Sequence, residues 1–97
     1  MKYRKKPVVV DAEQWFKYGD NPAVLQPGIG DSRVPLRYFD EEGHAIPLLE
    51  PNGWIGTLEG GHCVTPGDWI ITGVKGEKYP CKPDIFTLTY DLVRDIP

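Results

Sequence analysis

Two cysteines and two histidines are all that the 97 residues offer for soft-ligand or thiol chemistry. Cys63 and Cys81 permit at most one disulfide, and with no sign of secretion both are expected as free thiols. His62 and Cys63, being adjacent, point to opposite faces of a strand, so with Cys81 and His44 they do not make a zinc set; no metal and no cofactor are expected. No apolar run approaches the length that crosses a bilayer, and no apolar stretch follows the start, which predicts a cytoplasmic protein without a membrane partner. There is no internal repeat and no Gly-x-Gly-x-x-Gly, and Gly73-Val74-Lys75-Gly76 lacks the spacing of a phosphate loop. A basic excess is also missing. The net charge is -3, and Lys2, Arg4, Lys5 and Lys6 hold four of the eleven Lys and Arg, leaving seven against fourteen acids from residue 7 onward. Duplex nucleic acid is therefore not an expected partner. The acids Asp40, Glu41 and Glu42 have no apolar residue among them to raise a carboxyl pKa, so they read as a solvated turn rather than as a catalytic pair.

What the chain does have is punctuation. Ten prolines and eleven glycines are scattered singly between short apolar runs, and 40% of the residues are hydrophobic. A chain of this size makes one domain, here residues 1–97, which buries roughly two thirds of the surface it exposes when unfolded. Residues 1–6 form a basic arm. Alternation predicts a half-buried strand from Val8 to Trp15, and residues 17–32 form an irregular loop in which Asn21-Pro22 opens a single helical turn, Pro22 to Gln26. Short strands are predicted over Arg33–Phe39, His44–Leu49, Trp54–Leu58, His62–Thr65, Trp69–Gly73 and Glu77–Pro80, with Pro35 and Pro47 marking edges. From Pro83 the period changes: Ile85, Phe86, Leu88, Thr89, Leu92 and Val93 recur at helical spacing and define an apolar face. The predicted fold is α+β, a small antiparallel sheet or open barrel with a C-terminal helix packed on it.

The last third concentrates the candidate chemistry. Lys75, Lys78 and Lys82 fall on a turn, a strand and a helix entrance, and a helix start offers unpaired N–H groups that favour anions. Tyr79 and Trp69 supply flat faces of the kind on which nucleotide bases stack, at about 1–3 kcal/mol per base, and Arg4 is a further contributor from the arm. Against this, Pro83 removes one donor, Asp84 repels an anion set on the helix, and the same lysines and aromatics serve equally as solvated and packing residues. Cys81 precedes the helix beside Lys82, a setting that favours the thiolate, but neither His44 nor His62 is placed as its base by the sequence, and a buried apolar thiol is the competing reading.

The segments Met1 to Ala12 with Gln14-Trp15, Pro66 to Ile71, Gly73 to Glu77 and Tyr79-Pro80-Cys81-Lys82-Pro83-Asp84-Ile85-Phe86 resemble a family of small phage and prophage proteins. Many of its members are named for a Pro-Gly-Asp-Tyr-Gly-type motif and carry no assigned activity. Trp69 and Ile70 stand here where that motif has tyrosine and glycine, and Phe16 to Leu58 lies outside the likeness. The resemblance implies a viral or prophage origin and action in the cytoplasm of an infected or lysogenic bacterium; it supplies no catalytic residues. The expected function is a non-enzymatic binding module that sequesters a phosphorylated small molecule, such as a cyclic or ADP-ribose-type signalling nucleotide of host defence. Lys75, Lys78 and Lys82 would hold it, with stacking by Trp69 or Tyr79. The alternatives are a module that blocks a host protein and, third, a cysteine enzyme centred on Cys81. A homodimer or higher oligomer is expected, because two small copies enclose a ligand better than one.

Overall fold

A computed structural model describes residues 1–4 and 6–93. Strands β1 (Asp11–Gln14), β2 (Arg37–Phe39), β3 (Ala45–Pro47), β4 (Gly53–Thr57), β5 (Gly60–Val64), β6 (Trp69–Thr72) and β7 (Lys78–Cys81) precede one short helix, α1 (Pro83–Thr89). They form three small open antiparallel sheets, β1-β6-β7, β2-β3 and β4-β5. The fold is thus mostly antiparallel β with one C-terminal helix; each strand lies within or one residue outside its predicted stretch, except β5, which starts at Gly60, two residues before the predicted His62.

β6 is the centre of the larger sheet. Its consecutive Ile70 and Ile71 point to opposite faces and both are buried, so this strand is covered on two sides. Pro80 sits opposite Ile70 on β7, where the outer edge needs no donor. The core is one cluster of Trp15, Val24, Ile55, Val64 and Ile70, drawn from the end of β1, the 17–32 loop, β4, β5 and β6. Each such side chain contributes about 1.5–3 kcal/mol by leaving water.

Three expectations change in the structure. β1 begins at Asp11 rather than Val8, because its partner β6 ends opposite Asp11 at Thr72 and Gly73 turns away, donating to the Glu77 carbonyl at 2.8 Å. The described residues before Asp11 have no strand to pair with, and Asp11, Ala12 and Glu13 are exposed, not half-buried. The helical turn at Pro22 to Gln26 is instead a β-turn. Asn21 accepts from Ala23 N–H through its side chain (2.9 Å) and from Val24 N–H through its carbonyl (3.1 Å), after which Leu25 and Trp54 exchange backbone hydrogen bonds. The loop is irregular but packed, with Val24 in the core. Finally, α1 stops at Thr89, and of the expected apolar face Phe86 meets the sheet, joined by Tyr90, while Ile85 and Leu88 stay exposed. Phe86 stacks on Trp69 with centroids 4.0 Å apart and planes 7° apart, and Tyr90 stacks on Phe86 at 5.2 Å. No residue of α1 is buried.

Gly53 marks where the loop backs onto β4. A Cβ there would collide with Val24 Cγ1 and lie 3.2 Å from the Leu25 carbonyl oxygen and 3.4 Å from Trp15 Cζ2, whereas a Cβ at Gly56 would meet nothing within 4 Å. Gly53→Ala is predicted to destabilise the fold by about 1–3 kcal/mol, as overpacking does, and Gly56→Ala to leave it nearly unchanged. Urea titrations of the two variants check this.

Candidate binding cleft

The turn Thr65-Pro66-Gly67-Asp68 organises the chemistry. Pro66 presets the second position and Gly67, at φ +97°, supplies the positive angle of the third, so that Asp68 N–H closes on the Thr65 carbonyl at 3.0 Å. The turn delivers Asp68 into the interior, where its side chain is 2% exposed. Its carboxylate accepts from Thr65 N–H (2.9 Å), the Thr65 hydroxyl (3.1 Å) and Lys82 Nζ (2.9 and 3.2 Å). The register Trp69↔Cys81 sets Asp68 and Lys82 side by side one step beyond the ladder. Lys82 Nζ also donates to Thr65 Oγ1 at 2.9 Å. The ammonium expected to face a ligand is therefore shared with a buried carboxylate of the protein's own.

The other residues expected at the site are dispersed. Lys78 donates to Thr72 Oγ1 at 2.7 Å and lines, with Tyr79, Pro80, His62, Glu59 and Glu77, a cavity of ≈ 460 Å³. Lys75 lies in the exposed β6–β7 turn, and its backbone N–H donates to Glu77 at 2.9 Å. Arg4 is exposed in the arm. Neither Lys75 nor Arg4 lines this cavity or the cleft described next. The Trp69 face is taken by Phe86, and the Tyr79 hydroxyl lies 3.4 Å from that of Tyr90. Hydrogen bonding with Tyr90 first, then burial, then the nearby Glu77 and Cys81 push the Tyr79 phenol up to about 12. Cys81 rises too, by burial and by Asp68 and Asp84, opposite to the thiolate that Lys82 alone would favour. Burial is the largest of these effects, and with Lys82 paired to Asp68 the two carboxylates add to it.

A larger concavity of ≈ 820 Å³ opens between the β2–β3 hairpin, the β4–β5 hairpin and the entrance to α1. Its lining includes Arg37, Tyr38, Phe39, Trp54, Cys63 and Lys82. Tyr38 and Trp54 form a tilted pair, centroids 6.3 Å apart at 46°. Trp54 lies over Gly61 so closely that a Cβ there would collide with the indole, which is why this hairpin has glycine on the cleft side. An interaction with the Cys63 thiol, followed by burial, raises the Tyr38 phenol above its ordinary range. Both thiols are free. Of the lining carboxylates, Asp68 is held as described and Asp40 accepts from Glu42 N–H (2.9 Å) and His44 N–H (2.8 Å) in its own hairpin turn. Arg37 and Glu41 have no ion-pair partner among the described residues.

Of the residues expected from sequence, the cleft gathers Lys82. Arg37, Tyr38 and Trp54 escape sequence reasoning, because three segments distant in the chain meet there and no local spacing signals it. Among the described residues no three His, Cys, Asp or Glu side chains gather as a metal set, and no helix is long and apolar enough to cross a membrane. Compared with protein-family models, with curated proteins and with solved structures, the chain matches none of them.

Two outcomes follow. Lys82→Met is expected to cost stability at the lower end of about 1.5–3 kcal/mol, since water reaches the half-exposed site, and Asp68→Ala to cost more because Thr65 N–H loses its acceptor as well. Chemical denaturation ranks the two. Tyr79 titrates near 10.0 when unfolded and about 12 when folded, so as pH rises through this window the unfolded chain releases a proton the folded chain keeps. Its contribution is full below pH 10 and is lost on the way to 12. Melting temperatures across that range should fall, and less steeply for Tyr79→Phe.

Proposed function

We propose that the protein is a phage-encoded, non-enzymatic binding module that sequesters a phosphorylated small molecule in the cleft between the two hairpins. The observation that carries this reading is the pairing of an aromatic wall, Tyr38 and Trp54, with two cations, Arg37 and Lys82, in one concavity of nucleotide size. A base stacks on the wall while a phosphate oxygen meets Arg37 and the outer side of Lys82. The charge balance narrows the class. Lys82 is offset by Asp68, and Asp40 and Glu41 outnumber Arg37, so the lining, with two cations against three carboxylates, carries a formal charge of -1 and disfavours a ligand with several concentrated charges. A phosphodiester, with one charge per phosphate, suits it better than a triphosphate, which favours a cyclic nucleotide among signalling molecules. The expected Lys75 and Lys78 then act, if at all, outside this cleft. Against the cysteine-enzyme reading stands the raised Cys81 thiol.

A second reading, a module that blocks a host protein, is favoured by Leu36 and Phe39, both exposed in and beside β2 near the cleft. Thermal-shift measurements separate the two. At a hundredfold excess over Kd a cyclic nucleotide adds about 2.7 kcal/mol, a rise in melting temperature on the order of 10 °C. Arg37→Ala and Tyr38→Ala should each abolish most of that rise while leaving the unliganded melt in place. No shift with any cyclic mono- or dinucleotide, together with no small molecule detected by mass spectrometry of the purified protein, would sink the nucleotide reading.

A further inference from the structure

The chain exposes more surface than a folded monomer of its mass. Its accessible area is 7875 Å², against about 5,600 Å² for a compact monomer of 10.9 kDa. The radius of gyration is 15.3 Å, where about 12.5 Å is usual for this length. The excess, about 2,300 Å² per chain, is larger than the share one partner contributes to a standard interface and, doubled, falls in the range of obligate dimers.

Two elements hold much of this surface. The arm before β1 overruns the sheet, because β6 ends at Thr72 and turns; its described residues 1–4 and 6–10 lie in no strand, and all of them but Val10 are exposed. It carries Lys2, Arg4 and Lys6 together with exposed Tyr3, Val8 and Val9. The second element is the outer face of α1 and the residues after it. Ile85, Leu88 and Leu92 lie there exposed, Asp84 and Asp91 accompany them, and no Lys or Arg occurs from Pro83 to Val93. One element is cationic with apolar side chains interleaved, and the other is anionic with an apolar stripe.

We infer that the occupant of the α1 outer face is the N-terminal arm of a second copy, so that two chains exchange arms in a closed, two-fold dimer. Each arm then gains what its own sheet cannot give it, namely apolar cover for Tyr3, Val8 and Val9 and carboxylates for its cations. Reciprocal exchange satisfies both copies at once and leaves no open surface for further growth. This inference stands independently of any ligand in the cleft.

Sedimentation equilibrium of the full chain tests it. The wild type is expected to be a dimer at micromolar concentration, with association weakened by salt as exposed ion pairs are screened. The triple variant Lys2→Glu, Arg4→Glu, Lys6→Glu should weaken association on the order of a hundredfold. Adding Asp84→Lys and Asp91→Lys to that variant should restore it, a rescue that a merely structural role for the arm would not give. Circular dichroism and thermal melts verify that each variant is folded, since neither element contributes to the core cluster. A monomeric wild type, a dimer indifferent to arm reversal, or a failed rescue each overturns the proposal.

Discussion

The Asp68 carboxyl lies where water hardly reaches, paired with Lys82, and the rest of the molecule is arranged around that pair. Removing a carboxylate from water costs several kcal/mol, which only short hydrogen bonds and a countercharge offset. Thr65 supplies two of those bonds from within the same turn, and Lys82 supplies the countercharge from the far end of β7. The pair therefore fastens the start of the central strand to the start of the helix. It fixes where β7 ends, how α1 enters and hence how Phe86 meets Trp69. It also forms one corner of the cleft, so a contact that serves stability simultaneously sets the electrostatic character of the concavity beside it.

That dual duty explains why the cleft has no positive excess although the segment that closes it is rich in lysine. A lysine read along the sequence counts as a whole positive charge; in the fold its reach is decided by what lies across the ladder. Lys82 meets a buried acid, Lys78 meets a threonine hydroxyl, and Lys75 stays on a turn. Three cations close in sequence thus serve three different surroundings. Successive strand residues face opposite ways, and residues four apart are separated by about 13 Å, so proximity along a strand is a poor guide to convergence.

The elements were legible because each is coded locally. Alternation marked the first strand and short runs between turn residues the other six, Pro66-Gly67 marked the turn before β6, and Pro83 marked the helix start, where a fixed φ and a missing donor do least harm. The pairing of sheets was not legible, because β1 joins β6 across more than fifty residues and nothing in Asp11–Gln14 names that partner. The same holds for the cleft. Tyr38, Trp54 and Lys82 come from three separate segments, and only the placement of one hairpin against another brings them together. The helix face was legible only in part for a related reason: periodicity places Phe86 on it, but not that Tyr90 joins Phe86 while Ile85 and Leu88 stay exposed, because flat rings match the Trp69 indole better than branched side chains do.

The three tryptophans occupy three unlike settings: Trp15 sealed in the core, Trp69 pressed against Phe86, and Trp54 leaning over Gly61 at the cleft wall. Only the last borders the open concavity. The molecule thus carries its own optical reporter, in which intrinsic fluorescence from one indole responds to whatever enters the cleft while the other two provide a steady background.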